Sequence, residues 1–471
     1  MRAALALCCA ALMPGAALAL EEAACRVRNL PYEVRCGHVG QPVGPDAGAP
    51  RIEVHYVRVP ARARIPTPDP VYFIAGGPGQ SATHVAAAVT GALARLNNRR
   101  DIVFVDLRGT GRSAALDCPG EDALTLAQRL DESAMREHTS ACRTRYAGLP
   151  LQFYGTVGAA ADIEAVRAAL GHERINLVAS SYGSRLALAY QALHAARVRS
   201  AVLDGVLPPD HDLAGGSAGN AARAWRDLVD ACVPDRACAE LAPDATLRGL
   251  IAAGDRSVDV VNPLTGAVET ARIGPKAMVA LVRAALHSPS AASALPAALD
   301  RAAGGRIEPL LALASSVWNA RRSEGFSRGA HLAAVCNDRP ATIVPPDADD
   351  PVFAPHVGGR DGVQCEGWRR PAAPPLPAVA PATMPVLLLS GGLDPVTPPA
   401  LAQRVADALG PKARHLVSPG GGHGLLAAGC TRDLVYRFID AGLVGLDAAP
   451  GSDCLTRVPR PPFLKTAGGA R

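Results

Sequence analysis

The chain has 471 residues, 49% of them hydrophobic and 19% charged, with a formal net charge of +5 at pH 7. That balance supports a buried core and excludes a largely disordered chain. The 46 glycines and 41 prolines mark many turns without a collagen period, and no Lys/Arg run with interleaved aromatics occurs, so nucleic acid is not an expected partner.

Residues 3–20 carry no charge, follow Arg2, and are broken by Pro14 and Gly15 ahead of a small-residue Ala17-Leu18-Ala19 site. This pattern predicts a secretory signal peptide over 1–19, with a membrane anchor as the competing reading. Neither Cys8 nor Cys9 follows a small residue in the Leu-x-small-Cys arrangement of a lipoprotein signal. No later apolar run is long enough to span a bilayer, so the expectation is an exported protein, periplasmic or extracellular, with no membrane contact once the leader is removed. The other ten cysteines suit an oxidising compartment. Spacing leaves their connectivity open; pairing each with the next joins Cys25 to Cys36, Cys118 to Cys142, Cys232 to Cys238, Cys336 to Cys365 and Cys430 to Cys454. Neither C-x-x-C nor H-E-x-x-H occurs, and no metal or cofactor is expected.

Past the leader, Val71 to Ala75 and Ile102 to Asp106 are near-continuous apolar runs ended by Gly-rich loops, as strands buried on both faces of a parallel sheet should be. Ile163, Val166 and Leu170 recur at helical spacing between Thr156 and the stop at Gly171. Ile175 to Ala179 is a strand, Ser184 to Ala196 a helix, and Ala201 to Asp204 a strand again. This βαβ pattern predicts an α/β fold with a mostly parallel central sheet. From Pro208 the chain turns Ala-rich and helical until a proline-rich connector over 371–385, and strands resume at Val386 to Ser390 and Arg414 to Ser418. The expected organisation is a core in two parts, 20–207 and 381–471, around an inserted, mainly helical cap at 208–380. Whether residues 21–50 belong to the core or form a pro-segment is left open.

The chemistry falls on loops that follow strands. Ala179-Ser180-Ser181-Tyr182-Gly183 matches the nucleophile elbow G-x-S-x-G except for Ala in place of the first Gly, and it makes Ser181 the expected nucleophile. Asp394 follows the strand at Val386 and His423 lies among glycines after the last strand, which completes the order Ser, Asp, His. The imidazole would take the serine proton and Asp394 would orient it, with Asp204 as a rival acid between Ser and His. Gly76-Gly77-Pro78-Gly79 follows the first buried strand, where an elbow-based hydrolase has its oxyanion loop, so Gly77 and Tyr182 are the expected oxyanion donors. A phosphate-binding loop would need G-x-G-x-x-G or G-K-[ST], which this stretch lacks. Asp106 and Arg108, ending the next strand, are expected to brace neighbouring loops.

Together the segments IAGGPGQSA, DLRGTGRS, ASSYGS, CNDRP, SGGLDPVTP and GGGHG resemble the secreted tripeptidyl aminopeptidase and prolyl aminopeptidase branch of the α/β-hydrolase superfamily, over most of residues 50 to 455. The chain departs from that branch in having Ala179 in the elbow and Leu107 after Asp106. The resemblance implies an α/β-hydrolase fold and an exo-acting serine peptidase whose cap receives a free peptide amino terminus. Its triad falls on Ser181, Asp394 and His423, with Gly77 and Tyr182 as oxyanion donors. A short peptide substrate needs an anionic partner for its ammonium group, for which Asp338, Glu324 and Glu366 are the cap candidates. An exported esterase or lipase using the same triad on acyl esters is the competing function. A catalytically dead binding protein and an epoxide hydrolase, which needs Asp at the elbow, fit the residues less well.

Overall fold

The computed structural model describes residues 22–213, 217–263, 265–323, 325–338, 350–356, 365, 367–368, 373–447 and 452–464. The expected leader lies outside them. No helix among the described residues is long and apolar enough to cross a membrane.

A nine-stranded sheet runs through the molecule. Its strands are β1 (Ala23–Cys25), β2 (Val34–Pro42), β3 (Arg51–Val59), β4 (Val71–Ile74), β5 (Ile102–Val105), β6 (Ile175–Ser180), β7 (Val198–Asp204), β10 (Val386–Gly391) and β11 (Ala413–Ser418). Their order is β1-β2-β3-β5-β4-β6-β7-β10-β11, and all pairs from β5 to β11 are parallel. The apolar runs are near-continuous because each central strand is covered on both faces. Ile175, Leu177 and Ala179 of β6 pack toward helices Thr156–Ala169 and Tyr182–His194, whereas Val178 packs on the side of helix Thr431–Ala441. In β10, Val386 and Leu388 take the first side, Leu387 and Leu389 the second.

Residues 22–59, most of them in the 21–50 stretch left open between core and pro-segment, supply β1, β2 and β3, an antiparallel extension of the sheet. In β3, Ile52, Val54 and Tyr56 alternate with Arg51, Glu53 and His55, and Val54 and Tyr56 are fully buried. Two boundaries also differ from expectation: β7 begins at Val198, and the helix after β6 begins at Tyr182, directly behind the elbow serine. Residues 373–385 contain neither helix nor strand.

β7 and β10 are sheet neighbours, so the chain between them is an excursion out of the sheet. It holds helices Ser217–Cys232, Pro243–Ala252, Pro275–Leu286, Pro289–Ala303, Glu308–Ser323 and Arg328–Asn337, and the hairpin of β8 (Arg256–Val261) with β9 (Val268–Ile273). This part has its own apolar core, around Trp225, Leu281, Leu295, Leu299 and Leu310. Sequence reading confined the cap to 208–380, but Leu126 packs into the same core and the Ala127 N–H donates to Glu269 Oε2 at 2.9 Å. Phe463 also packs there, and the Leu464 N–H donates to the Ser293 carbonyl at 3.1 Å. This second apolar core therefore draws on three separated stretches of chain.

Five disulfides join each cysteine of the pairs 25–36, 118–142, 232–238, 336–365 and 430–454. Inside the core, Arg108 Nη2 meets Asp162 Oδ1 at 2.6 Å and Arg108 Nε meets Oδ2 at 2.9 Å, while Nη1 donates to the Phe153 carbonyl at 2.9 Å. Asp162 is fully buried, so removing its partner strands a charge away from water. The substitution Arg108→Met is expected to lower the unfolding free energy by about 3–5 kcal/mol, read from the denaturation midpoint with disulfides intact. A loss within measurement error would show that the pair contributes nothing net.

Candidate active site

Strand β6 ends at Ser180 and the next helix starts at Tyr182, which leaves Ser181 alone to turn the chain. Its backbone has φ 55° and ψ −122°, a conformation that side-chain-bearing residues avoid at a cost of about 1–3 kcal/mol. Neighbours hold it there. The Ser181 N–H donates to the Asp204 carbonyl at 2.8 Å, and Ser184 Oγ donates to the Ser181 carbonyl at 2.6 Å. A methyl group on Gly183 would lie 2.5 Å from the Ile74 carbonyl oxygen, so only glycine lets this helix start so close to β4. Two residues before the serine the methyl of Ala179 is tolerated, since it is buried in the core on the other side.

The loops after β10 and β11 bring the other two residues to Ser181. His423 Nε2 is 3.0 Å from Ser181 Oγ, and His423 Nδ1 is 2.8 Å from Asp394 Oδ2. Asp394 is fully buried. Its Oδ1 accepts from the N–H groups of Val396 at 2.7 Å and Thr397 at 2.9 Å, and its Oδ2 accepts from Thr397 Oγ1 at 2.6 Å. Burial opposes ionisation of this carboxyl, but the His423 charge and the bonds from His423 and Thr397 outweigh it and hold the group well below the usual carboxylate range. The two loops touch so closely that a methyl on Gly391 would sit 2.1 Å from the Gly422 carbonyl oxygen.

Asp204, the rival acid, does something else. Its carboxylate accepts the N–H groups of Leu425 and Leu426 at 2.8 Å and so anchors the chain just past His423. Burial pushes its carboxyl up, against the pull of those backbone bonds. Of the two acids, the one whose carboxyl is held low is the one bonded to the imidazole.

The N–H of Tyr182 belongs to the first helical residue, where no intrahelical acceptor exists, and Tyr182 lines the same cavity as Gly77 and Ser181. Behind the Gly77 loop, buried Asp106 gathers Ser81 Oγ at 2.7 Å, Thr83 Oγ1 at 2.8 Å, His55 Nδ1 at 3.2 Å and the Arg112 N–H at 3.1 Å. Burial raises the Asp106 carboxyl, but these bonds prevail and hold it low. Asp106 and Arg108 thus brace loops and do not line the cavity.

The cavity over Ser181 has a volume of about 1320 Å3, with walls from the core and from cap residues such as Ala284, His287 and Trp318. Asp338, expected to meet a substrate ammonium, is not on this wall. It is 4% exposed, and its Oδ1 accepts the Thr156 N–H at 2.8 Å while its Oδ2 accepts the Tyr182 hydroxyl at 3.0 Å and the Thr156 hydroxyl. That assignment is corrected: the carboxylate is filled from within the protein. Glu324 and Glu366 lie outside the described residues. Sequence reading missed Thr397, whose signal is its place three residues after the acid, where a hydroxyl can turn back onto the carboxylate. One group of potential metal ligands, Cys118, Glu121 and His138, clusters among the described residues, but the Cys118 sulfur is bonded to Cys142.

A family model described as alpha/beta hydrolase fold matches residues 69–231, and one described as TAP-like protein matches residues 350–454. The serine protease Hip1 of Mycobacterium tuberculosis is 27% identical over 423 residues, covering 79% of this chain and 79% of that one. A tripeptidyl aminopeptidase of Streptomyces lividans is 32% identical over 206 residues, covering 39% of this chain and 37% of that one.

The geometry separates the two acids by experiment. Asp394→Asn should leave the imidazole wrongly oriented and lower kcat by about 10,000-fold. Asp204→Asn should act mainly on stability, by about 1–3 kcal/mol, because buried N–H groups lose an acceptor. Equal losses of kcat in the two variants would contradict this division.

Proposed function

Since the chain belongs to the α/β-hydrolase superfamily and is a serine hydrolase of its peptidase branch, we propose that it is an exported aminopeptidase that releases short N-terminal peptides or single residues through an acyl-enzyme on Ser181. The observation that carries the reading is the unbroken chain of contacts from Ser181 Oγ through the His423 ring to buried Asp394, opening on a roofed cavity.

In this reading, His423 Nε2 takes the proton from Ser181 Oγ as the oxygen attacks the scissile carbonyl carbon. The carbonyl oxygen gains the negative charge and points at the N–H groups of Gly77 and Tyr182. His423 then gives its proton to the leaving nitrogen, and the C–N bond breaks. A water attacks the ester while its proton passes to the same nitrogen of His423; His423 returns that proton to Ser181 Oγ as the Oγ–C bond breaks, and the carboxylic acid product leaves after losing its proton to solvent. Asp394, ionised throughout, steadies the imidazolium in both halves.

The cavity exceeds the roughly 300–1,000 Å3 of ordinary small-ligand pockets, which suits a short peptide. With Asp338 turned inward, the carboxylates on the wall among the described residues are Asp117, Glu121, Asp122 and Glu269, interleaved with arginines such as Arg112 and Arg283. Export is supported by the leader pattern at 1–19 and by five disulfides, which persist in oxidising compartments.

Matched chromogenic substrates test the proposal: free and amino-blocked aminoacyl, Pro and Ala-Ala-Pro anilides beside short acyl esters, with Ser181→Ala as control. Cleavage of the free anilides but not the blocked ones is expected. Turnover of esters alone would replace the aminopeptidase with an esterase, and activity surviving Ser181→Ala would remove Ser181 from the chemistry.

A further inference from the structure

The helix Arg328–Asn337 lies in the chain between β7 and β10, yet it packs with Val43, Leu116, Leu151 and Tyr154 and not into the apolar core around Trp225, and its two ends reach the loop after Gly77 and the side chain of Tyr182. Ahead of the helix, the Ser327 N–H donates to the Gly79 carbonyl at 2.8 Å and the Ser81 N–H donates to the Gly325 carbonyl at 3.0 Å. Gln80 and Phe326 form an isolated antiparallel bridge between these bonds. One turn into the helix, His331 Nδ1 lies 3.0 Å from the Pro78 carbonyl oxygen. The approach is so close that a methyl on Gly79 would sit 2.6 Å from the Ser327 carbonyl oxygen. Gly77 is thus followed at once by a stretch of chain stitched to this helix.

The other end of the helix reaches the second donor. Asp338 follows Asn337, and its N–H still bonds to the Ala334 carbonyl at 2.8 Å, so the helix hands its direction to the Asp338 side chain. That carboxylate receives the Tyr182 hydroxyl at 3.0 Å and both the N–H and the hydroxyl of Thr156, while Thr156 Oγ1 and the Tyr182 hydroxyl are themselves 2.7 Å apart. Tyr182 is 3% exposed, so its ring has no other place to go. Burial pushes the Asp338 carboxyl up, against the opposing pull of the charge on buried Arg185. The helix is itself pinned by the disulfide from Cys336 to Cys365 and by Asn337 Nδ2, which donates to the Trp368 carbonyl at 3.3 Å.

We propose that this single helix sets the spacing of the two oxyanion donors, and that Asp338 is a positioning residue that fixes the Tyr182 N–H through the tyrosine hydroxyl. This inference rests on the reading of Gly77 and Tyr182 as donors to a Ser181 intermediate. Its consequence is that this helix does more than line the cavity: displacing it would remove the partners of Pro78 and of the Tyr182 hydroxyl together.

The test compares wild type, Asp338→Ala, Asp338→Asn, Tyr182→Phe and the Asp338→Ala/Tyr182→Phe double variant, using full-length exported protein. kcat and KM are measured separately on whichever anilide or ester the wild type turns over. Alongside them runs inhibition by a boronic acid, whose tetrahedral adduct on a serine places an oxygen where the oxyanion forms. Loss of a well-placed oxyanion donor costs on the order of 100-fold, so a misplaced one in Asp338→Ala should lower kcat by about 10- to 100-fold with KM nearly constant. Boronate affinity should fall by the same factor. Asp338→Asn, whose amide can still bond the Tyr182 oxygen, should recover part of the loss, and the double variant should be no worse than Asp338→Ala because the two residues act in series. Tyr182→Phe removes one hydroxyl only and keeps the fold testable if Asp338→Ala does not fold. Wild-type kcat and boronate affinity in Tyr182→Phe, or a loss of kcat without loss of boronate affinity in any folded variant, would overturn the proposal. Full activity in Ser181→Ala would instead overturn the reading on which it rests.

Discussion

Ser181 occupies a backbone conformation that serine does not choose by itself, and the neighbouring elements supply the restraint. β6 is buried on both faces, the helix from Tyr182 starts without a spacer, and the Ser181 N–H is tied across to β7. The strain is local, of the order of 1–3 kcal/mol, while the restraint comes from the whole central sheet. The hydroxyl therefore stands at the sheet edge before any substrate arrives, and little reorganisation is left for the reaction.

A second constraint follows from placing loops at the end of a parallel sheet, where backbone groups need partners away from water. Buried carboxylates meet that need. Asp106 gathers the chain around Ser81 and Thr83, Asp162 holds Arg108, Asp204 holds Leu425 and Leu426, and Asp338 holds Thr156 and Tyr182. Each bonds segments far apart in sequence. They differ in electrostatics: burial prevails at Asp204 and Asp338 and pushes their carboxyls up, whereas at Asp106 and Asp394 bonds or a neighbouring charge prevail and hold them low. Only Asp394 combines that low-held charge with the ring that faces the serine.

Much of the site was legible because its requirements are local. A strand that must be apolar on both faces, a turn that admits only small residues beside Ser181, and glycine loops that let Asp394 and His423 approach all leave marks within a few residues. The N-terminal strands were only partly legible: Ile52, Val54 and Tyr56 of β3 alternate with polar residues, whereas β1 has three residues and β2 carries few apolar ones. Asp338 was legible as a notable acid in the CNDRP segment, but its direction was not. A carboxylate at the end of a helix can turn to a cavity or into the protein, and the choice depends on Thr156 and Tyr182, which lie far away in sequence.

The sequence by itself determined the alternation of strand and helix, the order of Ser181, Asp394 and His423, and the points where backbone crowding demands glycine. These follow from periodicity and sterics that act over a few residues. Only the tertiary structure decided that Asp204 anchors the chain past His423, that residues near Leu126 and Phe463 pack into the apolar core around Trp225, and that one helix touches both the loop after Gly77 and the Tyr182 side chain. Those outcomes depend on distances between residues separated by tens to hundreds of positions, which packing sets and local pattern does not encode.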